Sequence, residues 1–422
     1  MQRASAELGG FARSTSFSGL RTLILLVALC MPAGAFAQTE KAAANAAVLA
    51  ASPSRLVFAP GKTSSGWIRF EYFAGNRIFI PITINGRRVM AMLDSGASST
   101  VLDGSFASKL GLKFQSDETG QGVNGSIHYG PVQGIELTLG DMRWSKGEAV
   151  AIDLAAVSRQ LGRPLPVILG GEMFTDAVVE IDFKGHRIAF HDPATYAPPP
   201  NAPALPLTSV GESLAIAVLI ENHPANLVFD LGNAGAIDLY PKFWEQPGFI
   251  GTRGISTSLA GGAGGMREFK TTMLSQIALG GTVFHDVPSR LSDGTTASDD
   301  RAGRLDGNIG IAILGRYHLI VDRPHNRVIL DTPVDVSTPF KVNHAGLTLR
   351  PGGDGPTTVL HVAQGSPAAA AGLVAGDMIA TVNGRKSSDP TVEEWQSGVA
   401  GRIVRLGLKD GRSITLTLAK YY

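Results

Sequence analysis

The sequence predicts a mainly β protein: two copies of one β-rich module, followed by a smaller α+β domain. Three observations carry this. Glycine is frequent (51 of 422 residues), and the apolar residues fall in short alternating runs rather than helical stripes. One such run, Ile78, Ile80, Ile82 and Ile84, is answered 136 residues later by Leu214, Ile216, Val218 and Ile220. Proline-bearing breaks at 198–203 and around 332–339 then divide the chain into segments of domain size.

The elements follow in order along the chain. Arg13 and Arg21 precede the apolar run Leu23–Leu29, and Ala35-Phe36-Ala37 offers a small-x-small cleavage site. Residues 1–37 are therefore expected to be a signal peptide, too short in its apolar part to span a bilayer, with no stable membrane span once it is removed. Cleavage would remove the only cysteine, Cys30, together with three arginines and one glutamate, leaving a net charge of −1. A periplasmic or secreted protein without thiol chemistry is the expectation. The near-neutral charge gives no concentrated basic surface, so no nucleic-acid partner is expected. Residues 38–66, rich in Ala, Ser and Pro, read as a flexible leader. The first module is placed at 67–197, a Pro-rich linker at 198–203, the second module at 204–333 and the last domain at 340–422.

In both modules a strand and turn lead into an apolar strand that stops at an aspartate. These are Met90-Ala91-Met92-Leu93-Asp94 and Asn226-Leu227-Val228-Phe229-Asp230, the aspartates again 136 apart. Their turns are expected at Asn85-Gly86 and near Asn222-His223-Pro224. Further on, Ile168-Leu169-Gly170 is answered by Asn308-Ile309-Gly310, Asp182 by Asp322 and Arg187 by Arg327, all at an offset of 140. Between these landmarks lies Gly120-Gln121-Gly122-Val123-Asn124-Gly125. It matches a dinucleotide fingerprint in letters, but strand-like spacing follows it where that motif needs a helix. A mobile hairpin suits it better, with Gly261–Gly265 as its counterpart. The nine histidines form no H-E-x-x-H, and no nucleophile elbow is present.

Leu93-Asp94-Ser95-Gly96-Ala97-Ser98 resembles the active-site loop of aspartic peptidases, specifically retropepsin-like modules. Ile168-Leu169-Gly170-Gly171 resembles the apolar-apolar-Gly strand that crosses behind that loop. The resemblance spans residues 67–333, more loosely in the second module. It implies two retropepsin-like β-barrel lobes forming a bilobal aspartic-peptidase fold with a substrate cleft between them. It also implies a catalytic pair, Asp94 and Asp230, set in loops with Ser95, Gly96, Leu231 and Gly232, under a flap containing Gly122 and Gly125. No metal and no cofactor is required: two close carboxyls share one proton and activate a water against a polypeptide substrate. Leu231 departs from the pattern, because the family has Thr or Ser there and its hydroxyl braces the two loops. Asn233 is a candidate donor to Asp230 in its place. Ala97 offers the carboxylate no further hydroxyl, so a less acidic optimum than that of gastric enzymes is expected.

Residues 340–422 resemble a PDZ domain of the kind attached to bacterial exported proteases. The stretch that carries this is Gly365-Ser366-Pro367 to Gly376-Asp377-Met378-Ile379, with Val382-Asn383-Gly384. A short helix should begin at Ser366-Pro367 and end at Gly372. The resemblance implies capture of a C-terminal peptide by strand addition, its carboxylate held at Gly346, Leu347 and Thr348. Three functions stay open at this point. One is an exported endopeptidase using both aspartates. Another is a non-catalytic peptide-binding scaffold with a decayed second lobe. The third pairs first modules from two chains and leaves Asp230 idle.

Overall fold

The computed structural model describes residues 55–422, apart from 117, 123–124, 294–303, 332 and 393. The predicted signal peptide, and most of the expected leader, lie outside the described residues. Among the described residues strand accounts for 49% and helix for 11%.

In the first module Arg77–Ile84 pairs antiparallel with Arg87–Leu93. The turn between them is Asn85-Gly86, with φ of 43° and 79°, the conformation that tight hairpins draw from Asn-Gly. Ile78, Ile80, Ile82 and Ile84 are all buried, as their alternation requires. The short strand Val167–Leu169 inserts parallel to Arg87–Leu93 and antiparallel to Val101–Asp103. A long hairpin, Gly125–Leu139 with Met142–Ile152, wraps the module, and Glu118–Gly122 folds back along its start.

The second module repeats this plan strand for strand. Ser213–Ile220 pairs with His223–Phe229, and Gly307–Ile309 inserts between His223–Phe229 and Ile237–Leu239. Gly265–Leu279 and Thr282–Leu291 form the long hairpin, with Ser256–Gly262 along its start. The expected turn at Asn222-His223-Pro224 lies one residue earlier. Glu221 and Asn222 carry the positive φ (50° and 70°), while His223 already belongs to the strand.

The modules meet through one sheet. Val178–Asp182 pairs antiparallel with His318–Asp322 so that Glu180 faces Ile320, its own counterpart 140 residues on. Val179 faces Val321 and Ile181 faces Leu319. A residue paired with its own equivalent lies on a pseudo-twofold axis, so the duplication in sequence has become a duplication in space. The shared landmarks do the same work in each copy: Arg187 Nε bonds Asp182 at 2.8 Å, and Arg327 Nε bonds Asp322 at 2.7 Å.

One boundary differs from expectation. Arg55–Phe58, inside the span read as flexible leader, is a strand paired with Met142–Ser145, and Ser65 bonds the backbone of Phe190. The Ala/Ser/Pro composition hid two residues, Leu56 and Phe58, that pack against the core.

The C-terminal domain has its own core, including Leu347, Val359, Ile379, Trp395, Val404 and Leu406. Its helix, Pro367–Ala370, is capped by Ser366, whose Oγ accepts from the Ala369 N–H at 3.2 Å. Gly372 beyond it has φ of 79°.

Candidate active site

Each module ends its central apolar strand in an aspartate and fixes that aspartate from behind. The Asp94 N–H donates to Leu169 O at 2.9 Å, and the Asp230 N–H to Ile309 O at 3.1 Å. The glycine after each crossing strand is required by close approach. A Cβ on Gly310 would lie 2.2 Å from Gly235 O, and one on Gly170 2.6 Å from Ser99 O. The loops then curl over the carboxyls. Gly96 and Ala97 N–H groups reach Asp94 Oδ1 at 2.9 and 3.1 Å, and Gly232 and Asn233 N–H groups reach Asp230 Oδ1 at 2.8 and 3.1 Å. Leu231 has therefore not altered the backbone of the second loop.

The two carboxyls are brought together. Each lies against the loop glycine of the other module. A Cβ on Gly96 would stand 2.6 Å from the carboxyl carbon of Asp230, and one on Gly232 2.2 Å from that of Asp94. Each loop glycine is thus the clearance for the opposite aspartate. Burial, then the Asp230 charge, raise the Asp94 carboxyl to about 7, against the pull of its two N–H donors.

Ser95 supplies a brace between the loops on its own. Its buried hydroxyl donates to Phe229 O at 2.9 Å and accepts the Leu231 N–H at 2.9 Å. Leu231, fully buried, packs into the apolar core instead.

The expectation for Asn233 needs correcting. Its side chain does not reach Asp230; its amide donates to Asn308 Oδ1 at 2.8 Å and accepts from Arg290 Nη2 at 2.9 Å. The donor to Asp230 Oδ2 is Asn308 Nδ2, at 2.6 Å. Arg290 in turn grips Asp238 through Nε (2.5 Å) and Nη2 (2.6 Å). The sequence reading missed Asn308, Arg290 and Asp238. Their signal was present in the repeat: at the same offsets the first module has Ile168, Val150 and Leu102. The floor under Asp94 is apolar, and the floor under Asp230 is a hydrogen-bonded polar chain.

Above the aspartates the two glycine hairpins meet. A Cβ on Gly122 would lie 2.4 Å from Ala263 O, and one on Gly125 3.4 Å from Gly264 O. Ile127 and Tyr129 of the first hairpin join an apolar cluster with Phe79, Met92, Leu165 and Ile168 beside Asp94. The two hairpin tips are thus in contact, and the apolar cluster joins the first hairpin and Ala263 of the second to Ala97 of the Asp94 loop.

In the C-terminal domain the expected carboxylate loop is already satisfied. The Ala345 and Gly346 N–H groups donate to Asn343 Oδ1 at 3.2 and 2.8 Å. Leu347 is buried in the domain core, and Thr348 Oγ1 donates to Leu259 O of the second hairpin at 3.5 Å. A peptide carboxylate at Gly346 would have to displace the Asn343 side chain. The domain also holds that hairpin through Ser256 Oγ to Gln364 O (2.6 Å) and Thr257 Oγ1 to His361 Nε2 (3.0 Å).

Two family models match. One, described as aspartyl protease, covers residues 80–173, which include Asp94 and the crossing strand. The other, described as PDZ domain, covers residues 334–408. No curated protein matches the chain. The likeness of the second module to the first rests on strand order and register rather than on a family match. The chain carries an aspartyl-protease-like module, repeated in architecture, and a C-terminal PDZ domain.

Proposed function

We propose that the chain is an exported aspartic endopeptidase acting in the periplasm or outside the cell, with Asp94 and Asp230 as its catalytic pair. The observation that carries this reading is the mutual approach of the two carboxyls, each lying over the loop glycine of the other module. Two chains are then not needed to assemble the pair.

The surroundings assign the roles. Asp94, on the apolar floor, keeps its proton into the neutral range. Asp230, which accepts from Gly232, Asn233 and Asn308, is the base of the pair in this reading. Asp230 would take a proton from a water held between the carboxyls, while protonated Asp94 donates to the scissile carbonyl oxygen. The water oxygen then attacks the carbonyl carbon; as the C–N bond breaks, the proton held at Asp230 passes to the departing amine and the former carbonyl oxygen returns its proton to Asp94. The hairpin roof excludes bulk water and lays the polypeptide across the floor.

The test is cleavage of an unfolded polypeptide by the purified chain lacking residues 1–37. Both Asp94→Asn and Asp230→Asn should abolish it. Cleavage that survives Asp94→Asn would overturn the proposal; survival in Asp230→Asn alone would favour pairing of first modules from two chains. A folded chain that binds peptide but never turns it over would leave the scaffold reading, for which the polar support of Asp230 has no use.

A further inference from the structure

One cation of the cleft has no role in the chemistry above. Phe79 pairs with Met92 across the central hairpin, and continuing that register by two residues sets Arg77 opposite Asp94. Arg77 is partly buried, yet among the described residues its side chain donates only from Nη1 to its neighbour Asn76 O, at 2.9 Å. The contrast with other shielded arginines is clear: Arg163, Arg253, Arg290 and Arg327 each hold a carboxylate. Among the described residues no carboxylate lies within ion-pairing distance of Arg77. A cation partly withdrawn from water with no ion-pair partner is costly.

The repeat makes the feature one-sided. The residue 136 positions on, opposite Asp230, is Ser213, which is small and buried. Burial lowers the Arg77 guanidinium, and the two aspartates pull it back up, Asp94 more than Asp230. The hairpin register places Arg77 on the Asp94 side of the pair.

We propose that Arg77 is the specificity-determining residue of the cleft, selecting polypeptides with an acidic group close to the scissile bond on the Asp94 side. This rests on the peptidase reading of the same site. Guanidinium–carboxylate pairing in a shielded site is charge-assisted and bidentate, so both charge and fork geometry contribute.

The experiment uses matched quenched peptides that differ only by Glu or Gln at each position flanking the cleaved bond. A second arm ends the peptide just beyond that bond in a free carboxylate or an amide, separating a side chain from a chain terminus. In the unmodified chain one position should favour the acid by about tenfold or more in kcat/KM. Arg77→Gln should bring the ratio to about one, Arg77→Lys should leave an intermediate ratio, and Arg77→Glu should invert it toward a Lys peptide. Added salt should shrink the preference. An acid preference that persists in Arg77→Gln, or none at any position in the unmodified chain, overturns the proposal. Should Arg77→Gln fail to fold, Arg77→Lys carries the same test. If the unmodified chain cleaves nothing, the peptidase reading fails separately. Arg77 is then judged by binding of the Glu and Gln peptides with a reduced scissile bond, where equal affinity overturns the assignment.

Discussion

Ser95 and Leu231 hold equivalent places in the two loops, but one hydroxyl serves both. Ser95 Oγ bonds a carbonyl and an N–H of the opposite loop, both in the interior. Ser95→Ala would leave these two groups unpaired, at a cost of about 1–3 kcal/mol. Urea denaturation should register that loss, with a matching fall in kcat as the carboxyls drift. Asp94 carries a second prediction. The pair works with one proton, and Asp94 releases its proton as pH rises through about 7. The alkaline limb of kcat/KM should therefore fall near neutrality, read from a pH–rate profile. The stability effect has the same origin. The folded value lies above the ordinary 3.8, so this contribution is full below 3.8 and is lost as pH rises through about 7.

At the scale of elements, the sheet between the modules has a charged centre on its pseudo-twofold axis. Glu180 accepts from His191 Nε2 at 2.8 Å and His318 Nε2 at 2.9 Å. No histidine motif in the sequence marks this contact. The fold instead brings one histidine from each module to the same glutamate. Burial alone would raise the Glu180 carboxyl; the two imidazoles more than offset it and hold it at about 2. Its hydrogen bond to Glu180 raises His318, against burial, with Asp182 and Asp331 adding to the rise. The signs give a window. The depressed Glu180 contributes stability above 4.5 that is lost as pH falls through about 2. The raised His318 contributes stability present below 6.5 that is lost as pH rises through its folded value. Glu180→Gln should thus cost most between pH 4.5 and 6.5. The loss should be on the order of 2 kcal/mol at most, since His318 is partly open to solvent and screened. Calorimetry across that range reads it.

For the whole molecule, the PDZ domain treats the two roof hairpins unequally. It grips Ser256–Gly262 through Ser256, Thr257 and Leu259, while His361 also faces Glu268 at 3.3 Å. Among the described residues no such contact joins the domain to Thr119, Gly120 or Gly122. Removing residues 340–422 should therefore raise amide exchange in 256–262 and leave 118–122 unchanged, as hydrogen-exchange mass spectrometry would report. Equal changes in both hairpins would show that the domain acts on the cleft as a unit instead.

The sequence by itself determined the duplicated plan, the two strand-ending aspartates, the crossing glycines and the PDZ segment. Each depends on local signals: alternation of apolar residues, Asn-Gly turns, and glycines at points of close approach. It also marked Leu231 as a departure, though not its consequence. Only the tertiary structure decided that Ser95 alone bridges the loops, since its partners are 134 and 136 residues away. Only packing could show that Asn308, not the Asn233 side chain, supports Asp230, because the two asparagines are ranked by direction and not by distance along the chain. The same holds for the Asp94 proton, which is kept by burial and by the like charge of Asp230, and the chain assembles these only when both modules have folded.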